Sequence, residues 1–297
     1  MKKIKIGYFA DGPWAHEAFN LIQSDNRFEI KFVCVRYNSS DQVLEKLAAN
    51  HNIDLLRHKN VNSFEFLDSI KKYDCDIFVS MSFNQILKKN FIEFPPLKTI
   101  NCHAGKLPFY RGRNILNWVL INDETEFGIT VHYVDEGIDT GDIILQKIFP
   151  ITDNDDYNSL LTRAYIGCAE VLYGALKKIY LNEVELIKQN SIYPIGFYCT
   201  QRKEGDELIN WDKTSREVFN FVRAICKPGP MARTILNGNE LKINKVKIIA
   251  DAPIYKLITG VVVGKDSEGF IVKTKDTTVK VVEYEYDGKI NIGDRLK

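Results

Sequence analysis

The chain has 297 residues, of which 45% are hydrophobic and 27% are charged, and its formal net charge is +1. This length predicts one large domain, or one large and one small, with an ordinary globular core. The small net charge excludes a strong general attraction to nucleic acid or anionic membrane, and no apolar run approaches the ~20 residues that span a bilayer. We therefore expect a soluble cytoplasmic protein.

Residues 1–185 alternate predicted strands with predicted helices, which is the pattern of an α/β, Rossmann-like, open and mostly parallel sheet. The strands are predicted at residues 4–9, 28–35, 53–56, 77–81, 99–102, 128–134 and 143–148. The helices are predicted at residues 14–24, 40–51, 63–72, 113–121 and 156–181, with a short helical turn at 84–90. We expect residues 1–185 to form one catalytic domain.

The pattern changes after residue 185. Residues 186–212 are polar and predicted to form a linker, and residues 213–297 are predicted to form a second, small domain. Its helix, predicted at 214–226, begins at a Thr-Ser N-cap and ends at Lys227-Pro228-Gly229-Pro230. Five short strands, predicted at 231–236, 241–248, 259–264, 269–274 and 278–285, indicate a small OB-like β-barrel.

The six cysteines are scattered, with no CxxC pair and no Cys/His spacing that is typical of a metal site. Such thiols are expected to be reduced in a cytosolic protein. The sequence therefore predicts neither a disulfide framework nor a metal centre.

The segment 99–142 carries most of the polar chemistry. A predicted strand ends with Asn101 and His103, which share one face because strand residues alternate, and the next strand delivers Thr130 and His132. An acidic loop containing Asp139 follows. An amide donor, a histidine and a carboxylate at one sheet edge could perform acyl transfer to nitrogen. A packed histidine followed by an ordinary Asp-Gly turn remains the alternative interpretation.

The combined motif is more specific than any of its parts. Asn-x-His, a Leu-Pro-aromatic-Arg-Gly loop, Gly-Ile-Thr-x-His and Asp-x-Gly-x-Asp-x-Gly follow one another between residues 101 and 141. This series resembles the formyltransferases that use 10-formyltetrahydrofolate. The resemblance covers residues 1–185, and the arrangement of residues 200–297 is similar to the extension of the tRNA and sugar enzymes.

The resemblance implies that Asn101, His103 and Asp139 are catalytic. Asn101 and His103 would donate hydrogen bonds to the developing oxyanion, and Asp139 would support the imidazole and accept the proton of the amine. His132 and Thr130 would belong to the strand that positions Asp139. Asp142 is the catalytic carboxylate if the register differs by three residues.

The resemblance also implies the binding residues for both substrates. The pocket for 10-formyltetrahydrofolate, the co-substrate, would be lined by Phe83, Asn84, Gln85, Ile86, Leu87, Val134, Asp135, Gly137 and Ile138. The acceptor would contact Gly12, Trp14, Lys106, Arg111, Arg113 and Asn114, because cations suit a diphosphate and an aromatic ring suits a base. For Trp14, packing on the sheet is an equal alternative. Ala104 stands where many members of the family have Pro, and Lys106 stands where many have Leu.

Three amines are candidate acceptors. Glycinamide ribonucleotide leaves the carboxy-terminal hundred residues unexplained. For an enzyme that acts on initiator methionyl-tRNA we would expect a basic insertion early in the catalytic domain, and residues 34–60 contain none. We would also expect a strongly basic extension, whereas residues 201–297 hold 18 Lys and Arg against 14 Asp and Glu, a net charge of +4.

The residues of segment 111–126 favour a nucleotide-linked amino sugar as the acceptor. This sugar would be of the UDP- or dTDP-4-amino-4,6-dideoxyhexose type used in surface glycans. Methionyl-tRNA formyltransferase is the alternative. An inactive domain that binds folate or a nucleotide sugar is the alternative of another class. The resemblance further implies a homodimer, and we expect no nucleic-acid or membrane partner.

Overall fold

The computed structural model describes residues 2–297, which pack as two compact units. The first unit includes the chain up to Arg113 together with Phe127–Phe149 and Thr162–Cys199; the second includes Asn114–Glu126, Pro150–Leu161 and Thr200–Lys297. The domain boundaries at residues 185 and 212 stay a prediction. None of the helices in residues 2–297 is both long and apolar enough to cross a membrane.

The helices and strands follow the predicted order closely. The strands are β1 (Ile4–Ala10), β2 (Phe28–Val35), β3 (Asp54–Arg57), β4 (Ile77–Met81), β5 (Thr99–His103), β6 (Arg111–Gly112), β7 (Glu126–Tyr133), β8 (Ile143–Pro150), β9 (Tyr198–Cys199), β10 (Ala232–Leu236), β11 (Asn239–Ile248), β12 (Val262–Asp266), β13 (Gly269–Lys273) and β14 (Thr278–Glu285). The helices are α1 (Pro13–Gln23), α2 (Gln42–Asn50), α3 (Phe64–Ile70), α4 (Lys89–Ile92), α5 (Ile115–Ile121), α6 (Tyr157–Leu181), α7 (Gln189–Ile192) and α8 (Ser215–Ile225).

The large sheet has seven strands in the order β3-β2-β1-β4-β5-β7-β8. The pairs from β3 through β5 are parallel, and β7 runs antiparallel to β5. The prediction of a mostly parallel α/β sheet is therefore confirmed. The strand order reverses between β1 and β4, and the carboxyl ends of the strands beside such a reversal form the crevice where open α/β sheets bind ligands.

Aromatic rings fill the core beside this crevice. Phe9, at the end of β1, lies 4.8 Å from the ring centre of Phe91, 5.0 Å from that of Phe78 and 5.7 Å from that of Phe83, in edge-to-face arrangements. Phe9, Phe78 and Phe91 are fully buried. Such aromatic pairs are stabilising beyond the area they bury, so this core supports the loop that follows β4.

Residues 84–88 are not helical, and α4 begins only at Lys89, so the predicted helical turn at 84–90 is wrong for most of its length. The side chain of Gln85 explains the difference. It donates to the carbonyl oxygen of His58 at 2.9 Å and accepts the backbone N–H of Val61 at 3.0 Å. These bonds hold the loop to a segment 24 to 27 residues earlier, which local sequence patterns do not reveal.

The second unit contains a five-stranded antiparallel sheet in the order β10-β11-β14-β13-β12. Residues 293–297 join its two edges. Lys297 exchanges backbone hydrogen bonds with Ile235 of β10 at 2.8 and 3.0 Å, while the carbonyl of Asp294 accepts the N–H of Val262 of β12 at 2.9 Å. The sheet is thereby closed into a small barrel, as the sequence predicts.

Helix α8 packs beside this barrel with α5, and its amino terminus is capped as predicted. Thr214 and Glu217 form a capping box, in which each side chain bonds the backbone N–H of the other residue. The buried side chain of Asn117, on α5, donates to the carbonyl of Ala224 at 2.6 Å. This bond ties α5 to α8 within the second unit.

Candidate active site

The pairing of β5 with β7 brings four polar residues to one place. Asn101 lies directly opposite His132, and His103 lies directly opposite Thr130. Cys102, between the two β5 residues, points the other way and its thiol contacts the carbonyl of Cys168 on α6 at 3.6 Å. The predicted alternation along this strand is therefore present in the structure.

The Asp139 carboxylate lies between the two histidines. One oxygen is 3.6 Å from Nδ1 of His103 and the other is 3.5 Å from Nε2 of His132. These distances exceed those of hydrogen bonds and represent charge contacts, whereas the backbone N–H of Gly112 donates a true hydrogen bond to Asp139 Oδ2 at 2.9 Å. The three ionisable side chains thus form one cluster, mostly shielded from solvent.

The hydrogen-bond partner of His103 defines its proton positions. Nε2 lies 2.7 Å from the carbonyl oxygen of Tyr110, which can only accept, so Nε2 carries a hydrogen. In the neutral ring Nδ1 is therefore a free lone pair facing Asp139, and in the charged ring it is a second donor. Gly105 permits this arrangement, because a Cβ there would lie 2.4 Å from Nε2.

His132 is fixed in the same way with the opposite nitrogen. Its Nδ1 lies 2.7 Å from the carbonyl oxygen of Tyr133, and Nε2 lies 3.3 Å from the amide nitrogen of Asn101. Neutral His132 therefore accepts one N–H of Asn101. The second N–H of that amide stays available for a ligand oxygen.

The surroundings of Asp139 favour its charged form. Burial raises the pKa of this carboxyl, but the imidazoles of His103 and His132, through their protonated forms, and the N–H of Gly112 act in the opposite direction and together hold the pKa well below its usual range. Asp139 is therefore a carboxylate at neutral pH. It can stabilise a charged imidazole or accept a proton through the cluster.

Asp142 and Thr130 occupy different roles from Asp139. The backbone carbonyl of Asp142 accepts the N–H of Tyr133 at 2.9 Å, at the start of β8. The hydroxyl of Thr130 donates to the carbonyl of Gly105 at 2.7 Å. Thr130 thus fixes the loop beneath His103, and the structure brings Asp139, not Asp142, to the two histidines.

The two segments expected to bind the co-substrate line one shallow groove of about 730 Å³. Its lining includes Ile86, Leu87 and Lys88 from the first segment and Glu136 from the second. Leu87 is buried in the aromatic core, while Ile86 is 75% exposed. An exposed apolar side chain beside a groove suits a flat, partly apolar ligand. Of the other residues predicted for this pocket, Phe83 packs in the core with Val134, and Asp135 accepts hydrogen bonds from Gly137 and Thr140.

The residues expected to bind the acceptor do not all meet at the cluster. Trp14 packs edge-on against Tyr165 of α6, with ring centres 4.7 Å apart, and the N–H of the preceding Gly12 donates to Asp41 at 2.7 Å. Arg111 donates two hydrogen bonds to the side-chain oxygen of Gln189 at 2.6 and 3.0 Å. Trp14 and Arg111 therefore each have a partner within the first unit.

The other three residues predicted to bind the acceptor substrate have different surroundings from one another. The backbone of Lys106 packs on Gly128 of β7, where a Cβ would come 2.7 Å from Lys106 Cα. The N–H of Arg113 donates to the carbonyl of Cys199 at 3.1 Å, and Arg113 is exposed. Asn114 belongs to the second compact unit, where its side-chain oxygen accepts the N–H of Arg202.

The structure also reveals residues of the site that the sequence did not. The side chain of Gln189 donates to the backbone carbonyl of Asp139, and the carbonyl of Tyr110 accepts from His103. Gly105 leaves space for the His103 ring. Gln189 falls in a stretch predicted to be a polar linker. The residues next to it, a Lys and an Asn, form no recognisable motif, so only the structure identifies its role.

The chain matches two family models. Residues 10–172 match the model described as formyl transferase, and residues 202–293 match the formyl transferase carboxy-terminal domain. Among curated proteins it is similar to methionyl-tRNA formyltransferases. That of Pelobacter propionicus is 36% identical over 205 residues, 69% of this chain and 63% of that protein; that of Fusobacterium nucleatum is 34% identical over 248 residues, 83% of this chain and 78% of that protein.

Two solved structures resemble the whole chain. WlaRD, a sugar 3N-formyl transferase in the presence of dTDP and 5-N-formyl-THF, has a TM-score of 0.70 and 26% identity, over 98% of this chain and 100% of that chain. The N-formyltransferase from Helicobacter canadensis, in complex with folinic acid and dTDP-3-aminofucose, has a TM-score of 0.71 and 25% identity, over 95% of this chain and 100% of that chain. With both family models matched in order along its length, the chain belongs to the formyltransferase family.

Proposed function

We propose that the chain is an N-formyltransferase that moves the formyl group of 10-formyltetrahydrofolate onto the amino group of a nucleotide-linked amino sugar. The observation that carries the proposal is the cluster itself. Asn101 offers a free amide N–H, His103 offers Nδ1, and Asp139 is a carboxylate held between two imidazoles. Such a set can bind an oxyanion and remove a proton from nitrogen without a metal ligand cluster.

Each side chain has a distinct task in this transfer. The second N–H of Asn101 donates to the formyl oxygen as negative charge develops there, and charged His103 donates from Nδ1 to the same oxygen. Asp139 stabilises the imidazolium and accepts the proton that the attacking amine releases. The proton returns to the folate nitrogen when its bond to the formyl carbon breaks, so charge and atoms balance.

The co-substrate is assigned to the groove lined by Ile86, Leu87 and Glu136. The groove combines an exposed apolar side chain with two lysines, Lys88 and Lys89, and two glutamates, Glu93 and Glu136. A pteridine ring fits the apolar wall, and the two lysines can pair with the anionic tail of the folate. In both similar solved structures a formylated folate accompanies the protein.

Three features favour a sugar acceptor over tRNA. The solved sugar enzymes are matched over 100% of their length, and the β2–α2 connection is only residues 36–41, with Arg36 its one basic residue. Basic side chains of the second unit also pair with carboxylates within 4 Å; they include Lys213, Arg216, Lys227, Arg233, Lys245 and Lys280. Paired charges present little net field to a polyanion.

Methionyl-tRNA is the second candidate acceptor, and the 34–36% identity to methionyl-tRNA formyltransferases favours it. One experiment separates the two. The protein is incubated with 10-formyltetrahydrofolate and, separately, with UDP- and dTDP-linked 3- and 4-amino deoxyhexoses and charged initiator tRNA, and formylated products are detected by mass. We expect formylated sugar and no formylmethionyl-tRNA. Formylation of the tRNA alone, with nanomolar binding at physiological salt, would reject the sugar assignment. Asn101→Ala serves as the inactive control.

A further inference from the structure

Gln189 joins the loop of Asp139 to the segment that follows α6. Its side-chain N–H groups donate to the carbonyl oxygens of Asp139 and Gly141, both at 2.8 Å, and its side-chain oxygen accepts two bonds from Arg111. The residue is 4% exposed. A single buried amide therefore uses both N–H groups and its oxygen on partners 48 to 78 residues away.

The Arg111 end of this link is itself immobilised. The guanidinium lies over the ring of Tyr198 at 5.4 Å, and a Cβ on Gly196 would come 2.8 Å from its central carbon. The next residue, Gly112, donates its backbone N–H to Asp139 Oδ2. Arg111 and Gln189 thus connect to Asp139 from two sides, one through the backbone of Gly112 and one through the carbonyls of residues 139 and 141.

The backbone of Asp139 makes such support useful. Its φ is +54°, in the left-handed region, which non-glycine residues adopt uncommonly although Asp tolerates it better than most, and the bonds of Gln189 to residues 139 and 141 hold the loop in this conformation. Its carboxylate lies at 3.5 to 3.6 Å from both histidines, so a small rotation of the loop would separate them.

We infer that Gln189 is a positioning residue, which holds the Asp139 carboxylate against His103 and His132 by fixing the two carbonyls on either side of Thr140. The inference rests on the proposed function only for its kinetic readout. Gln189 touches neither the histidines nor a reacting atom, and it acts through the backbone of its partner.

Three variants separate this role from simple stabilisation. Gln189→Met removes every bond of the amide without adding charge. Gln189→Glu keeps the acceptor for Arg111 but presents an oxygen to the two carbonyls. Tyr73→Phe is the control, because it also removes a side-chain hydrogen bond of a buried residue of the first unit, the partly buried bond of 2.6 Å to Asp54, away from the cluster.

We expect both Gln189 variants to lower kcat at least about tenfold while KM for each substrate stays within about threefold, and Tyr73→Phe to leave kcat unchanged. In Gln189→Met, the pKa of Asp139, followed by ¹³C NMR of labelled carboxyls, should rise towards its ordinary value; in Tyr73→Phe it should not. An unchanged kcat in Gln189→Glu, or an unchanged Asp139 titration in Gln189→Met, would overturn the inference. The titration needs no acceptor, so it remains decisive if the parent fails to formylate amino sugars.

Discussion

Nε2 of His103 lies 2.7 Å from the carbonyl oxygen of Tyr110, so the two ring nitrogens are not equivalent. The nitrogen facing Tyr110 carries hydrogen in both charge states, and the ring can gain or lose a proton only at Nδ1, on the side of Asp139. The backbone of the loop after β5 thereby decides which nitrogen of His103 exchanges its proton.

Removing the two β5 side chains should abolish most activity without unfolding the protein. Asn101→Ala and His103→Ala each lose one donor to the formyl oxygen, and we expect kcat to fall roughly 100- to 1,000-fold. Folate release measures the rate, and circular dichroism checks the fold. A variant that keeps the parental rate would show that its residue does not act in the reaction.

Asp139→Asn and Asp142→Asn should differ sharply, because only Asp139 lies against His103 and His132. Asp139→Asn keeps the shape but loses the charge, and should cost roughly 100- to 10,000-fold in kcat. Asp142→Asn should stay within about tenfold of the parent, ~1.4 kcal/mol in barrier. If Asp142→Asn were inactive beside an active Asp139→Asn, the assigned carboxylate would be wrong.

Gly105→Ala should reduce turnover although it changes no charged group. The added methyl would lie 2.4 Å from both His103 Nε2 and the carbonyl oxygen of Tyr110, so both groups, or the loop that carries residue 105, must move. We expect kcat to fall at least about tenfold, with a smaller change in KM. Gly238→Ala has open space around it but a φ of +82°, so it carries the backbone cost of replacing glycine without a steric clash in the cluster; equal losses of kcat in both variants would contradict this explanation.

The pH dependence of stability should reveal Glu217. Its bonds to the backbone and hydroxyl of Thr214, together with Lys213, lower its pKa to about 2, so its contribution to folding is complete above the unfolded value of ~4.3 and is lost as pH falls towards 2. Parent and Glu217→Gln melting curves should therefore differ most at neutral pH and converge near pH 2. A constant difference across this range would mean that the charge has no role.

Lys273 should be a stability residue of the second unit. Its buried ammonium donates to the carbonyl oxygens of Thr274, Asp276 and Thr277 at 2.7, 3.0 and 3.2 Å. Lys273→Met leaves these carbonyls without their donor, and we expect the free energy of unfolding to fall by about 3 kcal/mol. Lys275→Met, two residues on and exposed, should change it little; similar losses in both would refute the assignment.

The sequence predicts much of this arrangement where the signal is local. The bounds predicted for β2, β4 and β14 coincide with those in the structure, because apolar strands between turn residues are recognisable from a short window. The shared face of Asn101 and His103 follows from strand alternation alone. The hydrogen bonds of Gln85 and Gln189 could not be predicted, for the opposite reason. Their partners are backbone groups 24 to 50 residues away, and no composition pattern encodes such pairing.

Residues 293–297, which join β10 to β12, pair with the backbone of both edge strands of the barrel. Shortening the chain to residue 292 would leave the backbone groups of two strands without partners at once, at Ile235 and at Val262. Unpaired strand edges recruit other chains. We therefore expect a protein that still contains all its strands, and still has its active-site cluster, to associate edge to edge once these last residues are missing.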